Sequence, residues 1–291
     1  MPRPLATIAG ITGFAVLAAG GIAVVVTSRG GNIPFVHDTC RVYAADHTVR
    51  LEPEQAGHAA TIAAVAVRQG LPERAVTVAL ATALQESKLR NLPTGDRDSV
   101  GLFQQRPSQG WGTPTQLQDP RYAATQFYRR LAKVAGWQQL PIAEAAQAVQ
   151  RSAEGAAYAK WGIDAAALAQ AFTGRASGAV TCRLRTDDPT TSTADVVDLD
   201  SALRADVGPA AAAPPAGSAT SRRVTVPVAP AGAGAPDPGW RVAYWFVAQS
   251  RAYGIRTVRY GELEWTAGSG KWQKPGLQQP AQQVVAEVSA A

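Results

Sequence analysis

Apolar and polar positions follow a helical rhythm in the middle of the chain and a shorter, strand-like rhythm towards its end. Five helical runs are predicted between residues 53 and 172. The first spans residues 53–68, with Pro53 at its opening position and Gly70 as its stop, and the second opens at Pro72 and runs to Gln85-Glu86-Ser87. A cap and first-turn proline at Asp119-Pro120 start the third, YAATQFYRRLAKV. Pro141 starts the fourth, and the fifth covers residues 156–172. Short connections between alanine-rich helices predict a compact, mainly helical domain. Past Cys182 the rhythm changes: an amphipathic helix in ADVVDLDSALRADVG, a strand in VTVPV, a helix in GWRVAYWFVAQSRAYG ended by Gly254, and a strand or hairpin in IRTVRYGELEW. That order makes a small α/β module.

At the other end, residues 5–26 carry no charge and are rich in Leu, Ile, Ala, Val and Gly, enough to cross a hydrocarbon core as one helix. VVVTSRGG follows the run in place of a short apolar stretch and a small-residue cleavage site. The pattern therefore predicts an uncleaved signal anchor with the body outside the cytoplasm. Secretion after signal cleavage is the other reading. The expected organisation is residues 1–30 as a transmembrane anchor, 31–50 as a spacer and 51–183 as the helical domain. A linker at 184–193 leads to the α/β module at 194–275 and a weakly ordered tail at 276–291. Within the module, residues 209–223 are Ala, Pro, Gly, Ser and Thr with an arginine pair, too poor in apolar bulk to order themselves.

The fold class expected from these patterns is thus a mainly α domain, a small α/β C-terminal domain and an N-terminal transmembrane helix. Composition adds two constraints. The 291 residues have a formal net charge of +6 and a pI near 9.6, a balance that suits anionic wall polymer or lipid headgroups. The basic residues are scattered and lack interleaved aromatics, so no nucleic-acid partner is expected. Cys40 and Cys182 flank the helical domain and, in an oxidising compartment, would close it like a clasp; two unrelated buried thiols are the alternative. Neither cysteine has a neighbouring histidine, and His58 stands alone inside its helix, so neither a metal nor an organic cofactor is implied.

Chemistry concentrates in residues 83–107, ALQESKLRNLPTGDRDSVGLFQQRP. Glu86 lies in the last turn of an apolar helix, an unfavourable place for a negative charge. Ala75, Ala79, Thr82 and Ala83 form a small-residue face that leads directly to it. The loop that follows holds Asp96, Asp98, Ser99, Gln104, Gln105 and Trp111. Amides grip hydroxyl and acetamido groups, and an aromatic face carries the apolar side of a pyranose. Gln104 and Trp111 have those properties, although glutamines on an exposed strand and a packed tryptophan are the plainer reading. The same choice between a binding face and a core applies to Trp240, Trp245, Trp265 and Trp272 of the C-terminal module.

Glu86-Ser87, then Ser99, Gly101-Leu102-Phe103-Gln104 and Pro107, resemble the first two motifs of the goose-type lysozyme and soluble lytic transglycosylase family. DSVGLFQQRPSQGWGT, with the later VQRS and AYAKW, resembles secreted actinobacterial proteins that carry a lysozyme-like domain and a small C-terminal α/β domain. The likeness covers residues 53–172. The family's third motif is replaced by AAYAKW, where Tyr158 takes the place of its tyrosine and its asparagine has no equivalent. The resemblance implies cleavage of the β-1,4 bond between N-acetylmuramic acid and N-acetylglucosamine in peptidoglycan glycan strands. In it Glu86 is the general acid and then the base, and Ser87, Ser99, Gln104, Gln105, Trp111 and Tyr158 bind substrate. Asp96 and Asp98 are the only nearby carboxylates that could serve a two-carboxylate hydrolase. Loss of the third motif motivates the alternative, a membrane-tethered wall-binding or scaffold protein without catalysis.

Overall fold

The computed structural model describes residues 37–151, 155–185, 196–208, 223–275 and 282–289. Strands β1 (Thr39–Ala44) and β2 (His47–Leu51) open the described chain as an antiparallel hairpin. Helices α1 (Pro53–Arg68), α2 (Glu73–Ser87), α3 (Pro114–Leu117), α4 (Pro120–Leu131), α5 (Ile142–Gln150) and α6 (Gly162–Phe172) follow, with a 3-10 segment at Gly155–Trp161 ahead of α6. Strand β3 (Val180–Arg183) returns to β1, giving a sheet in the order β2-β1-β3. After α7 (Val196–Val207) come β4 (Arg223–Pro227), α8 (Pro238–Ala248), α9 (Ser250–Tyr253), β5 (Ile255–Tyr260), β6 (Leu263–Thr266), β7 (Lys271–Gln273) and β8 (Gln283–Val288). Their sheet is antiparallel, in the order β4-β8-β5-β6-β7.

This corrects the expected fold class. At 47% helix and 19% strand the chain is an α/β mix, with nine helices among the described residues and two antiparallel sheets. The mainly α domain fails because the supposed spacer is a hairpin. Cys40, Val42 and Ala44 point into the core while Arg41 and Tyr43 point out, the period-2 pattern of a half-buried strand. The turn hides it: Ala45 and Asp46 both take positive φ, where asparagine and glycine are the usual residues. No helix among the described residues is long and apolar enough to cross a membrane. The transmembrane anchor expected at residues 5–26 lies outside the described residues, as do all but the first two residues of the linker at 184–193 and nearly all of the insertion at 209–223.

Cys40 and Cys182 face each other in the β1–β3 register and form a disulfide across a sequence separation of 142. The sheet it fastens also joins the helical body to the C-terminal module. The Leu184 N–H donates to the Ala267 carbonyl at 2.8 Å, and the indole N–H groups of Trp265 and Trp272 donate to the Cys182 and Val180 carbonyls. Tyr244 of α8 accepts the Ala179 N–H at 2.8 Å. The described residues accordingly belong to one compact unit. Trp240, Trp245 and Trp265 are buried and Trp272 is partly so, with Trp240 in edge contact with Tyr260 and Trp272. These rings build a core rather than an open face. The tail likewise differs from expectation: β8 is an inner strand with Val284 and Ala286 fully buried.

A second tie runs through Asp206, which is fully buried at the end of α7. It accepts from Trp245 Nε1 at 2.7 Å and Thr61 Oγ1 at 2.9 Å, and it pairs with the Arg121 guanidinium. A buried carboxylate is tolerable only when its lone pairs are used in this way. Helices α1, α4, α7 and α8 are thereby fixed to one another around it.

Candidate functional site

Helix α2 is the support of the site. Ala75, Ala79, Thr82 and Ala83 are all buried, so small side chains let the neighbouring helices approach closely and hold α2 rigid. Its last turn ends in an unusual way for residues that are not glycine: Lys88 and Leu89 both take left-handed φ. Side chains of α1 hold that pair in place. Gln55 Nε2 donates to the Lys88 carbonyl and His58 Nδ1 bonds the Leu89 carbonyl, each at 2.7 Å. Burial pushes the His58 imidazole below its ordinary pKa, against the opposing pull of that hydrogen bond and of Glu54. The lone histidine of α1 is thus a packed residue that shapes the end of α2.

Glu86 is half-buried one residue before that end. The hydroxyl of Tyr158, a buried residue in the middle of the 3-10 segment, donates to Glu86 Oε1 at 2.6 Å. Three residues on, Trp161 shares the same face of that segment and donates from Nε1 to Gln85 Oε1 at 2.9 Å. The Lys88 ammonium lies 4.6 Å from the Trp161 ring centroid and also donates to the Leu84 carbonyl, where a cation suits the helix terminus. Burial, then the Lys160 charge, lowers the Lys88 pKa, and Glu86 pulls the other way. Gln85, Lys88 and Trp161 thus join the surroundings of Glu86, beyond the residues expected from the sequence. Their signal was the flanking of Glu86 and the i, i+3 spacing from Tyr158 to Trp161.

The loop after α2 is built against the helix. Ser87 is buried, with its hydroxyl 2.7 Å from the Leu102 carbonyl and 3.1 Å from that of Ala83, so it sews loop to helix. Val100 and Gln105 exchange backbone hydrogen bonds at 3.0 and 3.1 Å, making GLFQ a tight turn. Gly101 has φ +78, and a Cβ there would lie 2.4 Å from the Leu117 carbonyl oxygen, which restricts the position to glycine. Gln104 also has positive φ, donates to the Gly101 carbonyl at 3.0 Å, and rests its amide against the bare backbone of Gly95.

The remaining expected binding residues point inward. Ser99 is buried, and Gln105, 1% exposed, donates to the Ala123 carbonyl at 3.1 Å. Trp111 is 4% exposed and its face is covered by the Arg130 guanidinium at 3.5 Å from the ring centroid. Asp98 is held by the Ser108 N–H at 2.8 Å and by Arg106 Nε at 2.7 Å, contacts that keep its carboxyl well below the usual range. Asp96 is exposed. The structure therefore joins Glu86 with Tyr158, leaves Gln104 half-buried on the same loop, and gives Ser87, Ser99, Gln105 and Trp111 to the packing of that loop. Among the described residues, no group of three or more His, Cys, Asp or Glu side chains could hold a metal ion.

What this arrangement offers chemically is a single carboxylate with one strong donor on one oxygen. Compared with known proteins, the chain matches no family model, and no curated protein is similar to it in sequence.

Proposed function

We propose that this chain cleaves peptidoglycan glycan strands at the β-1,4 bond between N-acetylmuramic acid and N-acetylglucosamine. The observation that carries the reading is the 2.6 Å hydrogen bond from buried Tyr158 to Glu86, because it supplies, from the replaced third motif, the tyrosine partner that the resemblance calls for. Glu86 gives its proton to the glycosidic oxygen as the bond to the anomeric carbon breaks. Its carboxylate then takes a proton from the incoming nucleophile. Tyr158 fixes the rotamer of the acid in both steps.

Engagement of Asp98 by Arg106 and Ser108 favours the single-glutamate route. In that route the muramyl 6-hydroxyl attacks the anomeric carbon and leaves an anhydro end, as in lytic transglycosylases. The Cys40–Cys182 disulfide favours work outside the cytoplasm. The alternative, wall binding without cleavage, draws on the burial of Gln105 and Trp111, which removes two of the expected sugar-gripping groups from any open surface.

The test is mass spectrometry of soluble fragments after incubation of the full chain with purified peptidoglycan. Anhydromuramyl ends are the expected product, and Glu86→Gln should lower their yield by at least about a hundredfold, the usual weight of a general acid. Undiminished turnover by that variant overturns the assignment. Co-sedimentation with the wall and no released fragment from the wild type establishes the binding reading.

A further inference from the structure

Where α4 and α5 end lies an open cleft of about 450 Å³, lined by Arg130, Lys133, Val134, Ala148, Val149 and Arg151. Among the described residues, three cations and no carboxylate line it. Lys133 and Arg151 are exposed, and none of the three cations has an ion-pair partner among the described residues. Arg130 is set rigidly: its guanidinium lies on the Trp111 ring and donates to the Gln109 and Gly110 carbonyls at 3.3 and 3.0 Å. Arg151 takes positive φ at the end of α5.

The ends of α4 and α5 account for part of this charge. Two helix C-termini supply roughly half a negative charge each, together about one against three positive charges. A net positive field remains. Its effect is visible on Arg130, whose pKa is lowered by burial first and by the Arg151 charge second. Like charges held together without a counter-ion are destabilising, and a bound anion relieves them.

Val134, Ala148 and Val149 add apolar surface to the otherwise polar lining. Cations spread along a cleft with some apolar surface suit the carboxylates of a short acidic peptide better than a bare phosphate. The end of α5, which lines the cleft, is tied to the loop that follows Glu86. Gln150 Nε2 donates to the Phe103 carbonyl at 2.7 Å, and Ser87 bonds the adjacent Leu102 carbonyl. We propose that this cleft binds carboxylates of the peptide stems carried by the glycan on which Glu86 acts. The proposal rests on the peptidoglycan reading of Glu86 for the identity of its ligand.

The probe is a fluorescent alanyl-glutamyl peptide with both carboxylates free, compared with its diamide by anisotropy on the full chain. Binding of the free peptide at least tenfold tighter than the diamide is expected, weakening as salt shortens the Debye length from about 10 Å at 0.1 M to 3 Å at 1 M. Lys133→Gln/Arg151→Gln replaces two exposed side chains, so the melting curve should be unchanged while the preference for the free peptide falls at least tenfold. Equal binding of the two peptides, a preference that survives the double variant, or displacement by inorganic phosphate as readily as by unlabelled peptide overturns the proposal. Glu86→Gln separates the two readings. It should bind the peptide as the wild type does while losing lysis. Lysis without a peptide preference sinks the cleft alone, and a peptide preference without wild-type lysis sinks the catalytic assignment alone.

Discussion

Two carboxylates, Glu86 and Asp206, are placed in opposite ways. Asp206 is sealed from solvent, and Trp245, Thr61 and Arg121 occupy both of its oxygens. Glu86 is half-buried, and among the described residues only its Oε1 has a hydrogen bond, from Tyr158. A buried carboxylate with donors on both oxygens is shut off from exchanging a proton with anything else; it is a rivet. One with a single strong donor and an open second oxygen is oriented and still available. The difference separates structure from chemistry without appeal to position in the sequence.

Removing the rivet should give the largest effect. Asp206→Ala leaves the Arg121 charge, the Trp245 indole N–H and the Thr61 hydroxyl without their acceptor, and the loss of a buried partner of this kind costs about 3 to 5 kcal/mol. Urea unfolding measures it, and a loss under about 1 kcal/mol would show that α7 holds the core by apolar contact alone. Tyr158→Phe probes the other carboxylate. Removal of one hydrogen bond to a charged group, worth about 1.5 to 3 kcal/mol, should slow glycan cleavage by roughly ten- to a hundredfold. Stability should change by no more than about 1 kcal/mol; unaltered cleavage would deny the tyrosine its positioning role.

The smallest effect concerns pH. Burial lowers the His58 pKa from its ordinary 6.5, so the unfolded chain takes up a proton that the folded ring refuses. Stability from this group is fully present above about pH 6.5 and is lost as the pH falls through the lower folded value. His58→Gln keeps a donor for the Leu89 carbonyl and removes the titration. The variant's urea midpoint should therefore fall less steeply between pH 6.5 and 5 than that of the wild type. Equal slopes would place the acid sensitivity elsewhere.

Glu86 was legible in the sequence because a charge at the end of an apolar helix is costly there and asks for a reason. Tyr158 was legible only through the resemblance; nothing in its spacing fixes a residue 72 positions away onto that acid. The first hairpin escaped because an alanine, Ala45, takes a left-handed turn position where Asn, Asp or Gly is usual, although Cys40, Val42 and Ala44 alternate as a strand should. Strand β8 escaped for a related reason: six residues of Gln, Val, Ala and Glu carry little pattern until β4 and β5 pair with them on either side. Trp111 shows the opposite limit. Its ring is suited to a sugar, and only the Arg130 guanidinium lying on it shows that the face is taken.

The disulfide has a consequence for survival among proteases. Because Cys40 and Cys182 lie on neighbouring strands and enclose everything from α1 to α6, a single cut in the loop after α2 leaves two fragments that remain one covalent molecule. Glu86 and Tyr158 would then sit on different pieces, still held by the same packed helices and by the same sulfur bond. Damage to the exposed residues 93–97 of that loop becomes a nick to be endured, and only a reductant turns it into a loss.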